Sequence, residues 1–352
     1  MKYKDKIIEN NNKKSSVIGI IGLGYVGIPL SLSFVKAGFK VIGIDNDKKK
    51  IEQIKKKPEL KHLINSINSI MPYIKKGQLI SIESTTYPGT TEEEVISRLE
   101  KKGFVVGKDI YVCYSPERED PGNESYSTRT IPKVVGAKTK DCLEVALSTY
   151  SSVIKKVVPV SSIKVAEMTK LHENIYRLIN IGLVNEMKMI CDKLQIDIHE
   201  VIKAASTKPF GFTPYYPGPG VGGHCIPIDP NYLTWKAKQF SLETRFINLA
   251  QTINKEIPHW ILDKLLEELN LRGKILNNLK VLFIGISYKK NVDDVRESPA
   301  VKLINLFNEN KAEISYHDPF FEYFKFDFLE KKPQKSIKLK PKNISSYDLV
   351  VI

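Results

Sequence analysis

The run VIGIIGLGYVGIPLSLSFVKAGFKVIGIDND, starting at Val17, limits what this chain can fold into more than any other stretch. An apolar segment ends in closely spaced glycines, the pattern predicts a helix from about Tyr25 to Ala37, and a second apolar segment, Phe39 to Ile44, ends at Asp45. Strand, glycine turn, helix, strand and acid in that order predict a parallel βαβ unit. Gly22, Gly24 and Gly27 give G-x-G-x-x-G directly after a strand, the context in which that spacing signals a dinucleotide site. Gly22 allows the tight turn, Gly24 admits a pyrophosphate to the helix N-terminus, and Gly27 permits close packing. Asp45 can accept from a ribose diol, which favours NAD over NADP.

Downstream, DKKKIEQIKKK and KHLINSINSIMPYIKK read as two helices with no strand between them. A doubly wound sheet alternates strands with crossover helices, so a segment is expected to be absent near Lys57 and Pro58. QLISIEST reads as a strand, and TTEEEVISRLEKKG as a helix with a Thr91/Glu94 capping box. DIYVCYSPER is a strand running into a loop with Glu117, and KVVGA and KKVVPV bracket a further helix. From Ile163 to about Leu194, apolar residues recur every three or four positions without proline, which predicts one long helix bridging domains or lining a subunit interface. KVLFIGISYKK, SPAVKLINLFNENK and AEISYHD repeat the strand, helix, strand theme, and the chain ends on the apolar strand YDLVVI.

The expected architecture is α/β. A Rossmann-type parallel domain spans 1–161, a central helical domain 162–270, and a second Rossmann-like domain, expected to be incomplete, 271–352.

The net charge of +14 raises the question of nucleic acid, but the lysines fall in short scattered groups, without a basic stripe interleaved with aromatics. Sites for small phosphorylated anions fit better. The four cysteines lack C-x-x-C spacing, so neither a metal site nor a disulfide framework is expected. No apolar run reaches the ~18 residues of a membrane span, and the polar start MKYKDKIIENNNKKSS lacks the core of a secretory signal. A cytoplasmic location is expected.

Chemistry-bearing residues fall in three groups. Lys170 and Asn174 are four apart on the long helix and project from one face, where an ammonium and an amide can stabilise an oxyanion. Cys225 and Asp229 sit in PGPGVGGHCIPIDP, whose glycines and prolines deny it helix and strand. A cysteine there can attack a carbonyl as thiolate, whereas the adjacent His224 diverges and is not expected to be its base. Lys289 and Arg296 lie in the loop after the strand of the last domain, suited to phosphate or carboxylate.

The ordered series GLGYVG, ESTTYPGTT, YSPER, AEMTKLHEN, GPGVGGHCIPIDP and SYKKNVDDVRESPA resembles the UDP-glucose/GDP-mannose dehydrogenase family from Val17 to the last residue. The resemblance implies a homo-oligomer, a dimer or larger, that uses NAD to oxidise the C6 alcohol of a UDP-sugar to a carboxylate in two steps. Cys225 would carry the thiohemiacetal and thioester, Lys170 and Asn174 would stabilise the oxyanion, Asp229 would position water or act as base, Glu117 would serve thioester hydrolysis, and Thr85 would hold a water near C6. Tyr25 and Val26 join the glycines, Asp45 and Thr85 in the cofactor set, and Arg296 is expected on NAD or the diphosphate. Arg118, Tyr216, Gly222 and Lys289, with Glu117, Lys170 and Asn174, are the expected sugar-nucleotide contacts.

The variants SPEREDPGN and PGPGVGGHCIPIDP most resemble those of family members acting on UDP-N-acetylglucosamine, which is the substrate the resemblance implies. Family members acting on UDP-glucose usually have lysine before the loop aspartate, where this chain has Ile228. UDP-N-acetylgalactosamine, UDP-N-acetylmannosamine and UDP-glucose remain alternatives, as does a non-catalytic nucleotide-sugar binding module. The family's strand and V-P-T-P-like turn ahead of PELKHL are absent, in agreement with the missing strand.

Overall fold

The computed structural model describes residues 2–23, 26–45, 60–119, 125–223, 225–329 and 332–352. The expected helix DKKKIEQIKKK, the junction at Lys57 and Pro58, and Gly24, Tyr25 and His224 lie outside them. The chain divides into two compact units, one formed by Met1–Glu173 with Asn231–Leu242, the other by Asn174–Pro230 with Glu243–Ile352.

In the first unit, helix α1 (Tyr3–Asn12) precedes β1 (Val17–Ile21), α2 (Gly27–Lys36) and β2 (Lys40–Ile44). The lysine-rich start is therefore a helix. Lys4 reaches Asp141 and Glu144 at 2.9 and 2.8 Å, and buried Asn11 donates to Ser148 and Thr149. The predicted βαβ unit is present: β1 and β2 run parallel, Val17 opposite Lys40 through Ile21 opposite Ile44.

Helix α3 (Lys61–Ile70), strand β3 (Leu79–Ile82), a π-helical turn (Thr91–Ile96) running into α4 (Ser97–Lys101), β4 (Tyr111–Tyr114), β5 (Lys133–Ala137), α5 (Lys140–Ser151) and β6 (Val157–Val160) follow. Their sheet has the order β3-β4-β5-β6. Its β3/β4 and β5/β6 pairs are parallel, each crossed by helix, whereas β4 and β5 are antiparallel. The physical reason is the connection: no helix occurs among the described residues between β4 and β5, and a direct return reverses the chain. Phe34 of α2, Phe39, Cys113, Val135 and Tyr150 share one core, and Val95, Leu99, Ile110 and Val112 anchor another.

The Thr91/Glu94 capping box does not form. Glu94 instead pairs with Arg98 one turn on, at 2.9 Å. The helix start is capped by a distant carboxylate: Glu167, fully buried, accepts from Gly89 N at 2.5 Å, Thr91 N at 2.9 Å and Thr91 Oγ1 at 2.7 Å. A carboxylate at a helix N-terminus satisfies orphan amides that a local threonine would otherwise take.

The long helix α6 is continuous over Ile163–Lys193. Its buried stripe, Ile163, Ala166, Leu171, Ile175, Leu178 and Val184, also contains Glu167, Lys170 and Asn185, so polar residues stand on the inward face. In the second unit it is followed by α7 (Ile198–Ala205). Next come α8 (Asp229–Lys238), α9 (Arg245–Leu271), β7 (Lys280–Ile284), α10 (Pro299–Glu309), β8 (Glu313–His317), β9 (Tyr323–Phe324), β10 (Gln334–Lys335), α11 (Pro341–Ile344) and β11 (Leu349–Val351). Strands β11, β7 and β8 form a parallel sheet with β7 central, and the chain's last apolar run pairs Leu349 with Val281. Phe283, Leu303, Phe307, Tyr316 and Phe326 fill the core beneath it.

Candidate active site

The glycine turn after β1 has the geometry that its sequence demands. Gly22 has φ +91° and donates its N–H to Ile44 O at 2.7 Å. A Cβ on Gly27 would lie 1.8 Å from Gly22 O, so only glycine lets the helix start close on the turn. Asp45 ends β2, where Oδ2 accepts from Leu23 N at 2.7 Å; the acid thus pins the turn while its other oxygen can still receive a ribose hydroxyl. These residues fit a dinucleotide. The Gly27→Ala variant is expected to weaken NAD binding at least about tenfold, about 1.4 kcal/mol, as read by calorimetric titration. Unchanged affinity would show that the turn does not hold the cofactor.

A cleft in the first unit is lined by Val26 and Leu30 at the start of α2, by Glu83, Glu117 and Arg118, and by Thr128, Ile131, Pro132 and Lys133. Glu117 stands in the loop after β4. Lys170, buried on α6, donates to Glu117 O at 2.5 Å and lies 3.9 Å from Glu117 Oε2. Burial raises the Glu117 carboxyl above the ordinary range, and the Lys170 ammonium opposes that rise. Arg118 is engaged by the protein itself: its fork grips Glu173 at 2.6 and 3.3 Å and its third nitrogen donates to Pro132 O at 2.7 Å. Thr85, half-buried, follows β3 on the same segment as Glu83.

In the second unit, exposed Cys225 opens a turn in which its carbonyl accepts from Ile228 N at 3.3 Å and Asp229 N at 2.8 Å. Asp229 begins α8, is 2% exposed, and takes the Asn174 amide on Oδ2 at 2.5 Å. The Arg296 guanidinium lies within electrostatic range of Cys225. Arg296 itself is clasped by Asp294 at 2.6 to 3.0 Å, which raises its already high pKa.

The glycines beside the cysteine pack against protein. A Cβ on Gly222 would meet Tyr288 at 2.7 Å and Pro299 at 2.8 Å, and Gly223, at φ +82°, donates to Arg296 O at 2.9 Å. Backbone contact therefore fixes the cysteine loop on the Arg296 loop. Tyr216, 58% exposed, stacks on His199, and Lys289 is half-buried after β7.

The NAD-binding domain of the UDP-glucose/GDP-mannose dehydrogenase family matches residues 16–59 and 55–154, its central domain 164–256, and its UDP-binding domain 282–352. The chain belongs to this family. The NAD-binding match falls in two pieces that meet in the stretch where a segment is expected to be absent. A UDP-N-acetyl-D-mannosamine dehydrogenase from Methanococcus vannielii is 31% identical over 91% of this chain and 83% of its own. A UDP-N-acetyl-D-glucosamine 6-dehydrogenase from Pseudomonas aeruginosa is 31% identical over 87% and 83%. Among solved structures, a UDP-D-ManNAc dehydrogenase from Pyrococcus horikoshii superposes with TM-score 0.80 at 27% identity, covering 87% of this chain and 84% of that one.

The family member described here is an NAD-dependent nucleotide-sugar dehydrogenase, an oxidoreductase. No helix among its described residues is long and apolar enough to cross a membrane.

Several polar residues of these sites were not singled out from sequence. Glu83, Lys133, Glu167, Glu173 and Asp294 each partner or neighbour a named group. For Glu167 a signal existed, since it lies one helical turn before Lys170 on the same stripe. Arg118–Glu173 and Lys133–Glu83 are long-range pairs that no local pattern encodes.

Proposed function

We propose that this dehydrogenase oxidises the C6 alcohol of a UDP-N-acetylhexosamine to the carboxylate in two stages, with Cys225 as covalent nucleophile. The observation that carries the reading is an exposed cysteine on a loop fixed by Gly223 and Asp229, with the Arg296 cation in range. NAD, when bound, accepts one hydride at each stage. After the first, the Cys225 thiolate adds to the C6 aldehyde to form a thiohemiacetal, whose oxidation leaves a thioester. Water then breaks the C–S bond, returning the thiol and releasing the acid. Lys170 and Asn174 stabilise the developing oxyanion, Asp229, held by Asn174, positions water, and Thr85 holds a water near C6. Glu117, beside Lys170, takes the proton of the hydrolytic water.

The Glu117 assignment fixes a pH dependence. Its working form is the carboxylate and burial raises its pKa, so hydrolysis is lost as pH falls through a value above that of an ordinary glutamate. Lys170, the Glu119 backbone N–H and Lys133 lower that pKa, and the Glu119 carboxylate raises it. In Lys170→Met the acid limb of the residual rate therefore moves to higher pH; a limb that stays in place would remove Glu117 from this role.

Among sugars, Ile228 points away from UDP-glucose, and the SPEREDPGN and PGPGVGGHCIPIDP variants resemble those of enzymes acting on UDP-N-acetylglucosamine. The likeness to the P. horikoshii structure favours a second reading, UDP-N-acetylmannosamine. A panel of UDP-sugars assayed with NAD decides. The reading requires two NADH per sugar and turnover of an acetamido sugar; one NADH per sugar, or turnover of UDP-glucose alone, would overturn it.

A further inference from the structure

The mechanism leaves unused a buried ion pair on the wall of the Glu117 cleft. Lys133, 8% exposed at the start of β5, places Nζ 2.9 Å from Glu83 Oε2 just past the end of β3. Tyr150 of α5 donates its hydroxyl to Glu83 Oε1, and Ser81 Oγ lies 2.7 Å from that hydroxyl. Cys113 Sγ donates to Ser81 at 3.2 Å, and Lys133 Nζ stands 5.1 Å over the Tyr150 ring. Three strands and a helix thus hold the pair in one geometry. A buried ion pair rarely stabilises a fold more than an apolar pair of the same volume, so stability alone is a weak reason for its presence.

Its remaining hydrogen-bonding capacity is informative. An ammonium has three N–H donors, and Lys133 directs at most two of them to one carboxylate oxygen and one ring face. Each Glu83 oxygen likewise has a second lone pair beyond its protein partner. Both side chains line the cleft. A spare donor beside a spare acceptor is complementary to an amide, whose carbonyl accepts and whose N–H donates.

We propose that Glu83 and Lys133 form a carboxamide-binding couple in this cleft, Lys133 donating to the amide carbonyl and Glu83 accepting from the amide nitrogen. Under the functional reading above, on which this rests, both co-substrates bring such a group: the carboxamide of nicotinamide and the acetamido group of the sugar. Val26 and Leu30, from the helix that follows the dinucleotide turn, line the same cleft and favour the nicotinamide.

The test is a set of dissociation constants, measured by calorimetry for two ligand pairs that differ in the amide. One pair is NAD and its acetylpyridine analogue, in which methyl replaces the amide nitrogen. The other is UDP-N-acetylglucosamine and UDP-glucose. The wild type is expected to prefer the amide-bearing member about tenfold or more in one pair, the pair so identified being the source of the amide. The double variant Glu83→Gln/Lys133→Met removes both charges together, leaves no lone buried charge, and is expected to lose that preference while keeping the other pair's constants. Glu83→Asp, which withdraws the carboxylate by one methylene without changing charge, is expected to show a smaller loss in the same pair and serves if the double variant does not fold. Preferences unchanged in the variants, or absent from the wild type, overturn the couple. A wild type that binds neither NAD nor any UDP-sugar overturns the functional reading, and the couple with it.

Discussion

The Cys225→Ser variant is expected to release no uronic acid above background, a loss of about 10³-fold or more, the order seen when a covalent nucleophile is removed. Serine preserves the Cys225 carbonyl and the Gly223 amide through which the turn is held. The side chain proposed to capture the aldehyde is what changes. The first hydride transfer does not use the thiol, so the variant is expected to form at most one NADH per sugar, slowly, with aldehyde and not acid as product. Mass spectrometry of the product beside NADH counting reads both quantities. Acid formed at the wild-type rate would exclude Cys225 as the thioester nucleophile.

The second large effect is on stability. Glu167→Ala is expected to lower the unfolding free energy by about 3–5 kcal/mol, measured by urea denaturation. The carboxylate is fully buried and accepts from Gly89 N, Thr91 N and Thr91 Oγ1; its removal leaves three donors without an acceptor in a dry site. Burial pushes the Glu167 carboxyl up, and those three donors oppose the rise. Glu94→Ala, at the position the local sequence marks for capping, is expected to cost less than about 1 kcal/mol, because it loses only a partly exposed pair with Arg98. Equal costs for the two variants would mean that the cap is local after all.

These two variants mark how far the sequence could be read. The dinucleotide turn was legible because its demands are local: positive φ at Gly22 and the absence of a Cβ at Gly27 are properties of single residues, and the strand, helix and strand around them follow from periodicity. The same holds for α6, whose apolar repeat predicted Ile163 to about Leu194 and whose helix runs to Lys193. The capping box failed for the complementary reason. Thr91 and Glu94 satisfy the local rule, yet a carboxylate 76 residues away from Thr91 took the same amides.

The site divides along the same line. Residue types at Cys225, Asp229, Lys170, Asn174 and Glu117 were readable from short motifs, because the chemistry of a thiol, an ammonium or a carboxyl belongs to the residue wherever it stands. Their electrostatic settings were not. That Asn174 holds Asp229, that Asp294 clasps Arg296, that Glu173 occupies Arg118, and that Glu83 and Lys133 face one cleft are facts of distance between segments far apart or turned by a loop.

By itself, then, the sequence determined the α/β architecture, the glycine turn and the cysteine in its glycine- and proline-rich loop, since steric limits and functional groups are encoded residue by residue. Only the tertiary structure decided which carboxylate caps which helix, that β5 runs against β4, and which charges neighbour Glu117 and Cys225. Hydrogen bonds and Coulomb forces depend on separation in space, and a chain fixes that separation only once it has folded.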